Sequence, residues 1–111
     1  MEHVKVDLAA EAERELARAR ADAHGHSAAA ELRDGRLRHT LVAILDGRSL
    51  GEHAKPEAAT LHVLRGRAVV RSGEDGAETT VSQGEVMVLP GATHDVRAEG
   101  DLVALLTSIA G

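Results

Sequence analysis

The chain contains no cysteine, so disulfides and thiolate chemistry are excluded, and any metal would have to be held by histidine and carboxylate. It contains no phenylalanine, tryptophan or tyrosine either. The stacking platforms that bind bases and the aromatic walls that line many ligand sites are therefore missing. The core has to be built from leucine, valine, isoleucine, alanine and two methionines, each of which buries less area than an aromatic ring. Such a core in a chain of 111 residues gives thin stability, and a partner subunit is a common remedy, so we expect a homodimer.

Positive charge is also scarce: 13 Lys and Arg stand against 18 Asp and Glu, for a net −5, and no stretch concentrates the basic residues. Without a basic face, nucleic acid is not expected as a partner. No apolar run approaches the ~20 residues a membrane span needs, and MEHVKVDLAAEAERE carries acids where a signal peptide has its apolar core. These absences lead us to expect a soluble cytoplasmic protein with no membrane partner. At 43% hydrophobic and 28% charged residues, the composition is that of a folding chain with one core.

Asp7 as N-cap and Gly25 as C′ residue bracket a stretch rich in Ala, Glu and Arg, which predicts a helix from about Leu8 to His24. Glu11 with Arg14 and Glu15 with Arg18 are i,i+3 pairs that support a solvated face. Leu8, Ala12, Leu16, Ala19 and Ala23 form a narrow apolar side that predicts packing on a sheet or on a partner.

From Ser27 onward short β-prone runs alternate with turn dipeptides. Asp34-Gly35 predicts a type I′ hairpin, while Asp46-Gly47 and Glu74-Asp75-Gly76 mark further turns. Strands are expected near 27–33, 37–46, 49–54, 59–72, 77–82, 85–89, 94–99 and 102–109. This texture predicts a mainly β fold, an antiparallel jelly-roll or barrel with one N-terminal helix. Residues 1–26 would form an arm and helix, and residues 27–111 the barrel.

Two segments carry a family resemblance. Residues 47–66, GRSLGEHAKPEAATLHVLRG, and residues 84–94, GEVMVLPGATH, resemble the two motifs of the cupin superfamily, in particular the small single-domain, cupin-2 type. The resemblance spans roughly residues 47 to 98. It implies a cupin jelly roll in which two histidines and a glutamate of the first motif join a histidine of the second to hold a divalent metal. Here His53 matches the first histidine and His94 the last, but Lys55 stands at the second histidine and Ala59 at the glutamate. A lysine adds positive charge where a cation would sit, and an alanine supplies no donor.

His62 is the candidate for a third ligand, although strand alternation sends 59, 61 and 63 to one face and 62 to the other. Asp95 and Glu52 have the wrong parity relative to His94 and His53, and Glu57 falls in a turn. Read blandly, His3, His39 and His62 are half-buried hydrogen-bonding residues, His24 and His26 meet the carbonyls at the helix end, and Lys55 is a strand-end charge reaching for water.

The sequence thus points first to a cupin with a degenerate metal site that binds a small polar molecule or regulates, with one divalent ion (Zn, Ni, Mn, Fe or Cu) held weakly or not at all. The alternatives are a metal-dependent oxygenase or isomerase using His53, His94 and His62, and a structural module with a filled barrel.

Overall fold

A computed structural model describes residues 4–51, 53–54, 58–91 and 93–110, the side chains of residues 53 and 54 excepted. One helix, α1 (Leu8–Ala21), precedes seven strands: β1 (His26–Asp34), β2 (Leu37–Ile44), β3 (His53–Ala54), β4 (Ala58–Ser72), β5 (Glu78–Ser82), β6 (Val86–Val88) and β7 (Thr93–Ile109).

The helix begins where expected. The Asp7 carboxylate accepts from the backbone N–H groups of Ala9 (3.1 Å) and Ala10 (3.2 Å), two of the donors a helix start leaves unsatisfied. Asp7→Ala is expected to cost about 1 kcal/mol, read as a lower urea midpoint at unchanged m-value. An unaltered midpoint would show that the cap contributes nothing.

The other end corrects the expectation of a helix to His24. Asp22 takes extended dihedrals as C-cap, and its carboxylate accepts from the His24 N–H at 2.8 Å, so the chain leaves the helix three residues early. That bond, aided by the adjacent imidazoles, holds the Asp22 carboxyl below its ordinary pKa. His24 and His26 do not cap the helix; their rings lie stacked, 6.1 Å apart, beyond its end.

All strand pairings are antiparallel, in the order β1-β2-β7-β4-β5, with β3 added to β7 and β6 to β4. The long strands β4 and β7 form the spine, paired from Ala58↔Ile109 to Ser72↔His94. The segments expected as separate strands at 94–99 and 102–109 are one strand. Register shifts between Val63 and Arg67 mark a corner where the paired strands bend. Asp46 and Asp101 brace this corner: the Asp46 N–H donates to the Asp101 carboxylate (3.0 Å), and the Gly100 N–H donates to the Asp46 carboxylate (2.7 Å).

The bend wraps the sheet around an aliphatic interior. Val42 and Ile44 of β2, Leu61, Val63 and Val70 of β4, Val81, Leu89, and Val96 and Leu102 of β7 pack together there. The result is the expected jelly-roll arrangement, with one difference. The hydrogen-bonded path runs open from β1 to β5 among the described residues, and the interior cluster joins β2 to β5 by side-chain packing.

A second cluster lies on the outer face, where Ala12, Leu16 and Ala19 of α1 cover Leu41, Ala43 and Val103. Glu15 sits in this layer and is fully buried, against the expectation of a solvated face. Its carboxylate pairs with Arg18 and accepts from the Ser27 hydroxyl on β1, which satisfies the charge inside the contact. Glu11 pairs with Arg14 at the exposed side as predicted.

The β1–β2 hairpin falls at the expected place but with a different turn. Gly35 carries the positive φ (56°), and Arg36, like every non-glycine residue described, does not. A positive φ at the first central position alone is the II′ pattern rather than I′.

Candidate functional site

Strand β7 brings the two motifs together. From its start at Thr93 it pairs with β3 on one side, His53 lying directly across from His94, and with β4 on the other, Ser72 across from His94. The chain before β3 follows the same edge. Gly47 and Leu50 donate to the carbonyls of Ala98 and Val96, the Ala98 N–H donates to the Arg48 carbonyl, and Ser49 bridges Arg97. The expected strand at 49–54 is therefore reduced to a bridge and two residues, because Gly51, at φ 85°, interrupts the extended run. The segment still tracks β7, and this alone places His53 beside His94.

His94 is 7% exposed, and its Nδ1 is shielded from solvent. By alternation it shares its face with Val96 and Ala98, both members of the interior cluster. His94 is thus an inward residue near one end of the jelly roll. The position of His53 is fixed by its backbone pairing. Lys55, Glu52, Glu57 and His3 lie outside the described residues.

Ala59 is also an inward position. It is 4% exposed and packs with Leu61 and Val63 in the interior cluster, a methyl group where the resemblance implies a carboxylate. Leu89 donates its N–H to the Ala59 carbonyl at 3.0 Å, so the backbone there is fixed.

His62 does not join His94. It pairs in register with Leu105 on one side and Val86 on the other, and it shares parity with Leu64, which packs against the helix-bearing cluster. It is half-buried on the outer face, so no bulge turns it inward. Asp95 likewise sits on the face opposite His94. Among the described residues no group of three or more histidine, aspartate and glutamate side chains converges where a metal ion could be held. His39 lies on the outer face, its Nδ1 3.4 Å from the Thr107 hydroxyl.

The donors present do not fit the four-ligand metal site that the resemblance implies. Two imidazole positions are brought together, the carboxylate position is an interior methyl, and His62 faces away. Two imidazoles alone are fewer than the three or four protein ligands typical of zinc sites.

No family model matches this sequence, and neither does any curated protein. Solved structures do match. A conserved protein of unknown function from Streptococcus pyogenes is 22% identical with a TM-score of 0.73, over all of this chain and 91% of that one. A cupin-2 domain containing protein from Shewanella frigidimarina is 14% identical with a TM-score of 0.71, over 94% of this chain and 93% of that one. A salicylate 1,2-dioxygenase from Pseudaminobacter salicylatoxidans is 18% identical with a TM-score of 0.75, but 87% of this chain covers only 32% of that enzyme. Matched over 74–94% of its length to cupin structures, with the first motif segment paired on β7 and the second running into the start of that strand, this chain has the fold of the cupin superfamily.

Proposed function

We propose that this chain is a small-molecule-binding or regulatory cupin that works without the family's metal centre. The observation that carries the reading is Ala59, buried in the interior cluster at the position where a carboxylate ligand would stand. The outward parity of His62 supports it, since the histidine considered as a third ligand faces away from His94. What remains at the inner end is His94 beside the backbone of His53, a place for hydrogen bonding to a small polar molecule rather than for holding an ion.

The test is metal analysis of the purified chain followed by titration with Zn, Ni, Mn, Cu and Fe. The reading expects sub-stoichiometric metal and no saturable binding at micromolar concentration. One ion per chain, bound at micromolar affinity and lost in His53→Ala, would overturn it.

A second reading is favoured by the His53↔His94 pairing, which brings two imidazole-bearing positions together across one ladder. With a substrate supplying the remaining donors, such a pair could serve a metal-dependent oxygenase or isomerase, and the salicylate 1,2-dioxygenase of like fold is the relative in that direction. The same titration, repeated with salicylate present, separates the two. Metal uptake that needs both the acid and His94 would favour the enzyme.

A further inference from the structure

The outer side of the β4–β7 ribbon differs on the two sides of its corner. Beyond the corner Ala68, Val70, Val96 and Ala98 point into the interior cluster, so alternation sends Arg67, Arg71, Glu78, Asp95, Arg97 and Glu99 outward. Arg97 pairs with Glu78 and Glu99, and Arg67 with Glu99, across the strands. That half is a solvated face. Before the corner the outward positions, taken in steps of two, run Leu37 to Ala43 on β2, Ala58 to Leu64 on β4, Val86 and Val88 on β6, and Val103 to Ile109 on β7. None of them is Lys, Arg, Asp or Glu.

Helix α1 covers part of this uncharged face, over Leu41, Ala43 and Val103. The rest is open. Val86 and Val88 are 61% and 67% exposed, while Met87 between them packs inward. Four large hydrophobics are exposed among the described residues: Val86, Val88 and Leu37 stand on this face, and Val4 lines the cleft at its margin with His39 and Leu105. Scattered singly such residues need no explanation, but gathered on one face they mark a contact surface.

We propose that a second copy of this chain packs on that face, about a two-fold axis. In such a contact each group near the axis meets its own copy, so like charges must be absent there. A face clear of charge satisfies this in a chain that is 28% charged and carries a net −5. A lipid surface would call for basic residues and bulky anchors, and the face has neither. The free edge of β1 does not offer the same contact. Ala30 pairs with Thr40 and Leu32 with His39, so Glu31 stands in a bulge, a device that blunts edge pairing. The open area is small beside the roughly 800 Å² that each partner gives to a standard interface, which points to a reversible dimer of micromolar Kd. Both core clusters are complete within one copy, so the separated chain stays folded. The contact lies on the opposite side of the sheet from His94 and stands whatever the barrel binds.

Sedimentation equilibrium of the full chain from about 1 to 500 µM tests it, with a mass rising from one chain to two expected across that range. Val88→Glu places a carboxylate on the open face, at a position exposed enough to leave folding intact, and should raise the dimer Kd at least about 100-fold. Thr80→Glu, outward on β5 beyond the corner, should leave the Kd unchanged. Melting curves check that both variants fold, and Val86→Glu replaces Val88→Glu if that one does not. A parent that remains a single chain up to about 500 µM overturns the proposal without recourse to any variant. If that single chain then sediments with phosphatidylglycerol vesicles, the face belongs to a lipid surface instead. A dimer that a folded Val88→Glu chain still forms with the parent's Kd also overturns it, as does equal weakening by Thr80→Glu.

Discussion

Gly66→Ala is expected to destabilise the chain by about 2–6 kcal/mol, the sum of a left-handed backbone cost and an overpacking cost of roughly 1–3 kcal/mol each. Gly66 has φ 75°, and a methyl group built on it would lie 2.5 Å from the Asp101 carbonyl oxygen and 3.2 Å from the Leu102 Cα. Both contacts are backbone, at the corner where β4 and β7 bend together and where Asp46 and Asp101 already fix the path. Nothing flexible is available to yield. Since domains of this kind are held by roughly 5–15 kcal/mol in all, such a loss is a large share of the total.

Gly35→Ala supplies the comparison. Gly35 also has a positive φ (56°), but open space surrounds it, so only the backbone cost of about 1–3 kcal/mol should be lost there. Urea denaturation of both variants separates the two costs. Equal losses at 35 and 66 would mean that the corner is less tightly packed than described.

The second large effect is expected from Ala59→Glu. Among the aliphatic side chains of the interior cluster a carboxylate must either stay charged at a cost of several kcal/mol or take up a proton. Burial raises the pKa of such a group above its unfolded value. The penalty is therefore present in full at neutral pH and shrinks as pH falls through the raised value and on toward the ordinary one. Denaturation midpoints for Ala59→Glu and the parent should thus lie far apart at pH 7 and converge near pH 4. Thr60→Glu, one residue along on the opposite, half-buried face, should change stability by less than about 1 kcal/mol. If the two substitutions cost the same, position 59 is not interior.

Much of this arrangement was legible from residue order. The Asp7 cap, the turns at 34–36 and 74–76, and the outward parity of His62 follow from local chemistry that tertiary contacts leave alone. The features not read are those where distant parts of the chain decide. The i,i+3 pairing with Arg18 predicts a solvated face for Glu15, although it lies three residues after Ala12 and four before Ala19, on the stripe that packs on the sheet. That spacing was the available signal, and the Ser27 hydroxyl across the interface is what makes the burial tolerable. The helix ends early because Asp22 finds the His24 N–H, a competition between side chain and helix that propensity does not capture.

At the candidate site the resemblance singles out His53 and His94 and the departures at 55 and 59, and backbone pairing sets His53 across from His94. Nothing in the order AAAELRD announces the bulge at Glu31, because a bulge is a mismatch between two strands and cannot be seen in one of them.

The central proposal is that this chain works without the family's metal centre because Lys55 and Ala59 stand where the resemblance implies a histidine and a glutamate. Zinc and manganese titration of the Lys55→His/Ala59→Glu variant by calorimetry, beside the parent, tests it most directly. The account predicts no saturable binding by the parent and one ion per chain in the double variant, with a melting temperature that rises on metal addition as ligand linkage requires. A parent that already takes up one ion per chain would contradict it, and so would a folded double variant that takes up none.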